Sequence, residues 1–166
     1  MNLVLCGMMG AGKTTIGVKI AELTGRRWYD TDGIITDRYG KISDIFEYYG
    51  ESHFRKLETE VVQELSEIDG LVISTGGGLV LKSENSELLK RNGKIIFLRA
   101  KIDTLVERLN VDKSRPLLQN TEQNIRVRLT QLLSARAPIY EHVADFIVDV
   151  DEKSPQEIAR EILALV

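Results

Sequence analysis

Gly7-Met8-Met9-Gly10-Ala11-Gly12-Lys13-Thr14 follows the apolar stretch Leu3-Val4-Leu5-Cys6 without a gap. An amphipathic run from Thr14 to Leu23, closed by Gly25, comes directly after it. The first stretch fits G-x-x-x-x-G-K-[ST], whose glycines let the backbone wrap a phosphate chain with N–H groups aimed inward. Strand, loop and helix in that order predict a phosphate-binding loop at the start of a βα unit. Gly10, Ala11 and Gly12 offer backbone donors there, and Thr15 follows at the positive end of the helix. Lys13 places a charge near the β- and γ-phosphates, and the Thr14 hydroxyl suits Mg²⁺. An ordinary glycine-rich turn needs neither the lysine nor the helix. The expected ligand is a nucleoside triphosphate.

Outward from the loop, short apolar runs rich in β-branched residues alternate with helical patterns. The runs are Leu3–Cys6, Arg27–Tyr29, Leu71–Ser74, Lys94–Leu98 and Phe146–Val150. Such alternation predicts a three-layer α/β/α fold, a five-stranded parallel sheet with helices on both faces. Between the second and third runs lies a long insertion, 32–69, with helical periodicity broken at Gly33, Gly40 and Gly50. It is too long for a simple crossover and reads as a helical subdomain. Thr121–Leu133 reads as a charged helix, and Ser154-Pro155-Gln156-Glu157 as a capped helix start. The polar stretch from Arg115 to about Asn120, interrupted by Pro116, reads as a loop. Nothing marks a domain boundary, so residues 1–166 are expected to form a single domain.

Composition sets the outer limits. Apolar residues make up 43% and charged residues 28%, a globular mix, and the formal net charge of −3 points away from nucleic acid. No apolar run approaches the roughly 20 residues that span a bilayer. The N-terminus reads as a strand rather than a signal peptide, and the single cysteine, Cys6, reads as a core thiol. A cytoplasmic protein, expected as a monomer with no membrane partner, fits these features.

Three further constellations carry chemistry. Asp30-Thr31-Asp32 follows the second strand at its carboxyl end, where ligands of open α/β sheets bind. Alternate residues of a strand share a face, so both carboxylates are expected in one site, one toward metal-bound water and one toward an attacking hydroxyl. A helix cap is the plainer reading. Gly76-Gly77-Gly78 follows the third strand, where a phosphate-loop hydrolase would often carry a metal-holding aspartate. Three glycines allow close backbone approach and present N–H groups to an anion or polyol. Arg55, Arg108, Arg115 and Arg136 lie in separate segments that can converge above the sheet, with Glu58 placed to brace Arg55. Arginine matches carboxylate and phosphate bidentately, which suits an acidic substrate or a moving phosphoryl group. His53 and His142 have no metal-ligand spacing. The D-x-x-G at Asp30–Gly33 sits on the wrong strand for a switch GTPase, and no N-K-x-D occurs.

Taken together, these motifs resemble the shikimate kinase family over nearly the whole chain. The resemblance rests on the phosphate loop, Asp30-Thr31-Asp32, Phe54-Arg55-Lys56-Leu57-Glu58, Gly76–Gly78, Arg115-Pro116-Leu117-Leu118 and Arg136-Ala137-Pro138-Ile139-Tyr140, in that order. It implies a phosphate-loop kinase fold with a lid at about 110–122. The implied reaction moves the γ-phosphoryl of ATP, with Mg²⁺, to the 3-hydroxyl of shikimate, a step toward chorismate and the aromatic amino acids. By the same resemblance Asp32 holds the hydroxyl, Arg55 and Arg136 clamp the carboxylate, and Glu58 holds Arg55. Gly76, Gly77 and Gly78 line the acceptor, Gly77 through its backbone, and Phe46 and Phe54 form an apolar wall. Lys13 and Arg115 stabilise the transferring group, Arg108 lies against the nucleotide, and Thr14 ligates Mg²⁺ with Asp30 reaching it through water. Asp151 to Pro155, expected to cup adenine, has no pattern to carry over. A gluconate kinase, a nucleoside monophosphate kinase and an inert nucleotide-binding regulator are the rival readings. The pairing of F-R-x-x-E with G-G-G and R-P-L-L speaks against the first two, and intact Lys13, Thr14, Asp30, Asp32 and Arg115 against the third.

Overall fold

Strand β1 (Asn2–Cys6) is buried at every position, as a strand covered on both faces must be, and its sequence is accordingly apolar rather than alternating. The computed structural model describes residues 1–111 and 122–166. Among them, five parallel strands lie in the order β2-β3-β1-β4-β5, with β2 (Arg27–Asp30), β3 (Leu71–Ser74), β4 (Gly93–Arg99) and β5 (Phe146–Asp149). All five expected runs are strands, with ends shifted by about a residue; Val150 falls outside β5, and β4 takes in Gly93 and Arg99. The expected three-layer α/β/α architecture is the observed one.

Register decides where the site falls. Leu5 pairs with Ser74 on one side and Ile96 on the other, and Asp30 pairs with Ser74. The carboxyl ends of β1, β2 and β3 therefore finish at one level and send their loops into one crevice. From β1 the chain goes first toward β2 and later crosses to β4, so that crevice is the switch point of the sheet.

Helix α1 (Lys13–Thr24) starts inside the phosphate loop and ends at Gly25. The insertion contains α2 (Thr31–Tyr39), α3 (Ile42–Tyr49) and α4 (Glu51–Ser66), separated at Gly40 and Gly50, while Gly33 lies within α2. A 3-10 turn (Leu79–Leu81) and α5 (Ser83–Arg91) follow β3, and α6 (Ile102–Val111) follows β4. Helix α8 (Pro155–Leu165) has the expected cap, with Ser154 Oγ accepting from the Glu157 N–H and Glu157 accepting from the Ser154 N–H.

Helix α7 (Glu122–Val143) corrects the expected Thr121–Leu133: it runs on through Pro138. Proline inside a helix costs roughly 3 kcal/mol through the lost hydrogen bond and the ring clash. Burial of Tyr140 and Val143 beyond it offsets that cost. The segment expected as a lid, about 110–122, lies almost wholly outside the described residues, and Arg115 with it.

Helix α1 sits unusually close to the sheet. Trp28 Nε1 donates to Ser74 Oγ at 3.0 Å, and Ser74 Oγ donates to the Lys13 carbonyl at 2.9 Å, so β2, β3 and the first turn of α1 are tied in a line. Gly17 allows the approach: a Cβ there would stand 2.5 Å from Ser74 Oγ and 2.6 Å from Trp28 Nε1. Burial pushes the Cys6 thiol up to about 12, with the Lys13 charge pulling the other way, so it stays a protonated core group. Gly17→Ala is expected to destabilise the protein by about 1–3 kcal/mol, although alanine is the better helix former by about 1 kcal/mol. A urea midpoint at or above that of the parent protein would contradict the close approach.

Candidate active site

The phosphate loop turns on glycines that have left-handed backbone. Gly12 caps α1 at φ 94°, a conformation costly for any residue with a Cβ. At Gly7 a Cβ would also meet the Leu98 carbonyl oxygen at 2.7 Å, so β4 closes on the loop from below. Lys13 folds back along the loop and donates to the carbonyls of Gly7 (2.9 Å) and Met8 (2.8 Å). Arg108 reaches over from α6, and its Nη1 donates to the carbonyls of Gly10 and Ala11, both at 3.1 Å. A cleft of about 340 Å³ runs from Lys13, Thr14 and Thr15 past Asp30 and Asp32 to Gly76 and Gly77.

The two aspartates reach this cleft by a route different from the expected one. They do not share a strand face: Asp30 ends β2, and Asp32 stands in the first turn of α2. Asp30 also caps that helix, its Oδ1 accepting from the N–H groups of Asp32 (3.0 Å) and Gly33 (3.2 Å). Its Oδ2 accepts from the Thr14 hydroxyl at 2.9 Å. The capping role and the contact with the loop thus belong to one carboxylate. Between the acids, buried Thr31 accepts from the Gly76 N–H at 3.0 Å and docks the start of α2 on the glycine turn.

Arg55, on α4, donates through Nη1 to Glu58 at 2.7 Å and through Nη2 to Glu51 at 3.2 Å. Glu58 is 1% exposed. Burial raises the Glu58 carboxyl above its ordinary range, and the hydrogen bond and charge of Arg55 pull it back in part. For Arg55, burial works against the charge, but Glu58 and Glu51 outweigh it and hold the guanidinium more firmly protonated. Phe54 is buried and Phe46 exposed; their ring centroids lie 4.9 Å apart, and the Arg55 guanidinium lies 5.4 Å from the Phe54 ring. His53 and His142 are exposed.

The glycine triplet explains how these groups meet. A Cβ on Gly76 would come within 2.6 Å of Asp32 Oδ1, and one on Gly78 within 2.5 Å of Arg55 Nη1. At Gly77 the nearest atom would be Arg136 Nη1, at 3.4 Å. One acid and two arginines, from three different helices, thus close on three successive glycines. Among the described residues this is the arrangement a small acidic polyol calls for: arginines for a carboxylate, an acid for a hydroxyl, and the phosphate loop alongside.

Comparison with known proteins agrees. A family model described as shikimate kinase matches residues 9–166. The chain belongs to the shikimate kinase family. The shikimate kinase of Actinobacillus pleuropneumoniae serotype 5b (strain L20) is 42% identical over 166 residues, covering 99% of this chain and 95% of its own. Shikimate kinase from Acinetobacter baumannii, solved in complex with shikimate, superposes with a TM-score of 0.90 at 40% identity, over 99% of this chain and 91% of that one. The shikimate kinase of Bacteroides thetaiotaomicron gives a TM-score of 0.92 at 34% identity, over 99% and 97%. As a member of the shikimate kinase family this protein is a phosphotransferase with an alcohol group as acceptor and ATP as donor.

Some positions around the site had no usable signal in the chain. Ser74 ends the strand after which a phosphate-loop hydrolase would often carry a metal-holding aspartate, and its hydroxyl instead holds the Lys13 carbonyl. Glu51 has no distinguishing signal, since one glutamate four residues before an arginine is common on any helix. A second cleft, of about 600 Å³, lies between Asp103, Thr104, Glu107 and Arg108 of α6 and Glu152 and Lys153 after β5, where the sequence had no readable pattern. Asp151 shapes it by accepting from the Lys101 N–H and the Thr104 hydroxyl.

Gly78→Ala is expected to displace the Arg55 guanidinium while sparing the phosphate loop. Affinity for an acidic acceptor should fall tenfold or more, on the scale of one charge-assisted hydrogen bond of about 1.5–3 kcal/mol. The KM for ATP should hold, and steady-state kinetics in both substrates separates the two.

Proposed function

We propose that this protein transfers the γ-phosphoryl group of ATP to the 3-hydroxyl of shikimate, giving ADP and shikimate 3-phosphate. The observation that carries this reading is the closure of Asp32, Arg136 and Arg55 on Gly76, Gly77 and Gly78 beside the phosphate loop. Arg55 and Arg136 clamp the shikimate carboxylate, and Glu58 fixes Arg55 by a bond too short and too buried to be a passing surface contact. Gly77 contributes backbone, and Phe46 and Phe54 wall the ring. Asp32 orients the 3-hydroxyl and takes its proton as the oxygen bonds to the γ-phosphorus and the bond to the β–γ bridging oxygen breaks.

Lys13 stabilises charge on the group in transit, and Arg115, outside the described residues, is assigned the same role. Arg108 fits the nucleotide, since it touches the loop carbonyls and also lines the second cleft, which suits the nucleoside. Thr14 and Asp30 offer two hard oxygens 2.9 Å apart at the loop, a donor set that fits Mg²⁺, with Thr14 as direct ligand and Asp30 acting through water. When bound there, Mg²⁺ would neutralise charge shared between the β- and γ-phosphates. Residues 1–166 act as one domain, with 32–69 as the acceptor-binding part. The protein works as a cytoplasmic monomer without nucleic-acid or membrane partners, and no helix among the described residues is long and apolar enough to cross a membrane.

ADP release by purified protein with Mg-ATP should be stimulated strongly by shikimate and not by gluconate or nucleoside monophosphates. Stimulation by another acceptor would keep the kinase site and sink the arginine clamp. Asp32→Asn should lower kcat by about 100-fold or more, within the usual range for a general base, with ATP affinity nearly unchanged. Equal losses in both would make Asp32 a metal-linked or structural group.

A further inference from the structure

Tyr140 heads the fully buried side chains of the described residues by size. Its ring packs on Phe97 of β4 with centroids 5.0 Å apart, and a phenylalanine would fill that space with no polar atom to satisfy. The hydroxyl is nonetheless engaged: it donates to the Gly77 carbonyl at 2.6 Å. Met8 Sδ of the phosphate loop lies 3.9 Å from the same oxygen. Arg136 stands one turn earlier on α7, its charge acts on the phenol, and its Nη1 lies beside Gly77. Acceptor clamp, glycine turn and phosphate loop meet at one hydroxyl.

Three successive glycines have more backbone freedom than any other tripeptide, so their peptide planes need to be held from outside. The structure holds them one by one. The Gly76 N–H donates to Thr31 Oγ1, the Gly76 carbonyl accepts from the Leu79 N–H, and the Gly77 carbonyl accepts from Tyr140. A trans peptide is planar, so its C=O and the following N–H point in opposite directions. With the Gly77 carbonyl drawn toward Tyr140, the Gly78 N–H is turned away from it. Burial pushes the phenol up to about 12 despite the opposing charge of Arg136, so the hydroxyl remains a neutral donor over the working pH range.

We propose that Tyr140 is a positioning residue of the acceptor site, whose hydroxyl pins the Gly77–Gly78 peptide beside Arg136, so that the carboxylate clamp is formed before the acceptor arrives. The inference rests on the acceptor assignment made above. Without the hydroxyl, binding must order the glycine turn and leave the Gly77 carbonyl without its donor, and both costs fall on the acceptor alone.

Tyr140→Phe should raise the KM for shikimate by roughly five- to tenfold, the size of one lost hydrogen bond, while kcat and the KM for ATP stay within about twofold. An unchanged shikimate KM, or an equal rise in both KM values, would overturn the proposal, whatever happens to Tm. A measurement on the parent protein needs no variant. With ¹⁵N-glycine labelling and no acceptor, the Gly77 and Gly78 amides should relax as rigid backbone, with order parameters near about 0.85, and values below about 0.6 would show that the turn is not held in advance. If the parent protein leaves shikimate unphosphorylated, the acceptor assignment fails. If it phosphorylates shikimate and Tyr140→Phe keeps its KM, only the positioning role fails.

Discussion

At Gly76, Gly77 and Gly78 the chain is reduced to bare backbone, and side chains from α2 and α4 fill the space that Cβ atoms would take at the first and third of them. Protein interiors are packed too tightly for a methyl group and a guanidinium to share a place. The absence of side chains at Gly76 and Gly78 is therefore what lets Asp32 and Arg55 close on the turn, with Arg136 in ordinary contact beside Gly77. The clamp carries its own charge compensation. Two guanidiniums so close would repel, but buried Glu58 takes up one of them through a 2.7 Å bond, and Asp32 lies near the other end of the turn. A buried carboxylate alone would be costly, and paired it leaves Arg55 oriented and charged.

The same turn is connected mechanically to the donor side. Parallel register brings the ends of β1, β2 and β3 to one level, and Ser74, the last residue of β3, holds the first turn of α1 through the Lys13 carbonyl. Immediately after Ser74 come Thr75, whose hydroxyl donates to the Leu5 carbonyl of β1, and the three glycines. Donor and acceptor halves thus share β3 as a common support. For a reaction that depends on in-line placement rather than on covalent catalysis, this rigid spacing is the main contribution the fold can make.

Much of this was legible because it depends on local chemistry. A phosphate loop is a property of consecutive residues, since the wrap needs glycines at set positions and the charge needs a lysine at the start of the helix. Strands buried on both faces announce themselves as apolar runs, and the Ser154–Glu157 cap is complete within four residues. The Arg55–Glu58 bond was readable for the same reason, as residues three apart on a helix are neighbours. Where the reading failed, a junction between two elements or a long-range contact overrode the rule for a single element. Asp32 is helical because Asp30 turns from strand residue to helix cap, and α7 outruns Pro138 because Tyr140 has a buried place to go.

By itself, the sequence determined the phosphate loop, the parallel α/β fold and the set of acids, glycines and arginines, because each rests on neighbouring residues or on the periodicity of one element. Only the tertiary structure decided which of those residues meet. The pairing of Asp32 with Gly76, Arg136 with Gly77, Arg55 with Gly78 and Tyr140 with the Gly77 carbonyl joins positions as many as 63 residues apart. Such contacts depend on strand order and register, which arise from packing the whole sheet and which no single stretch of chain encodes.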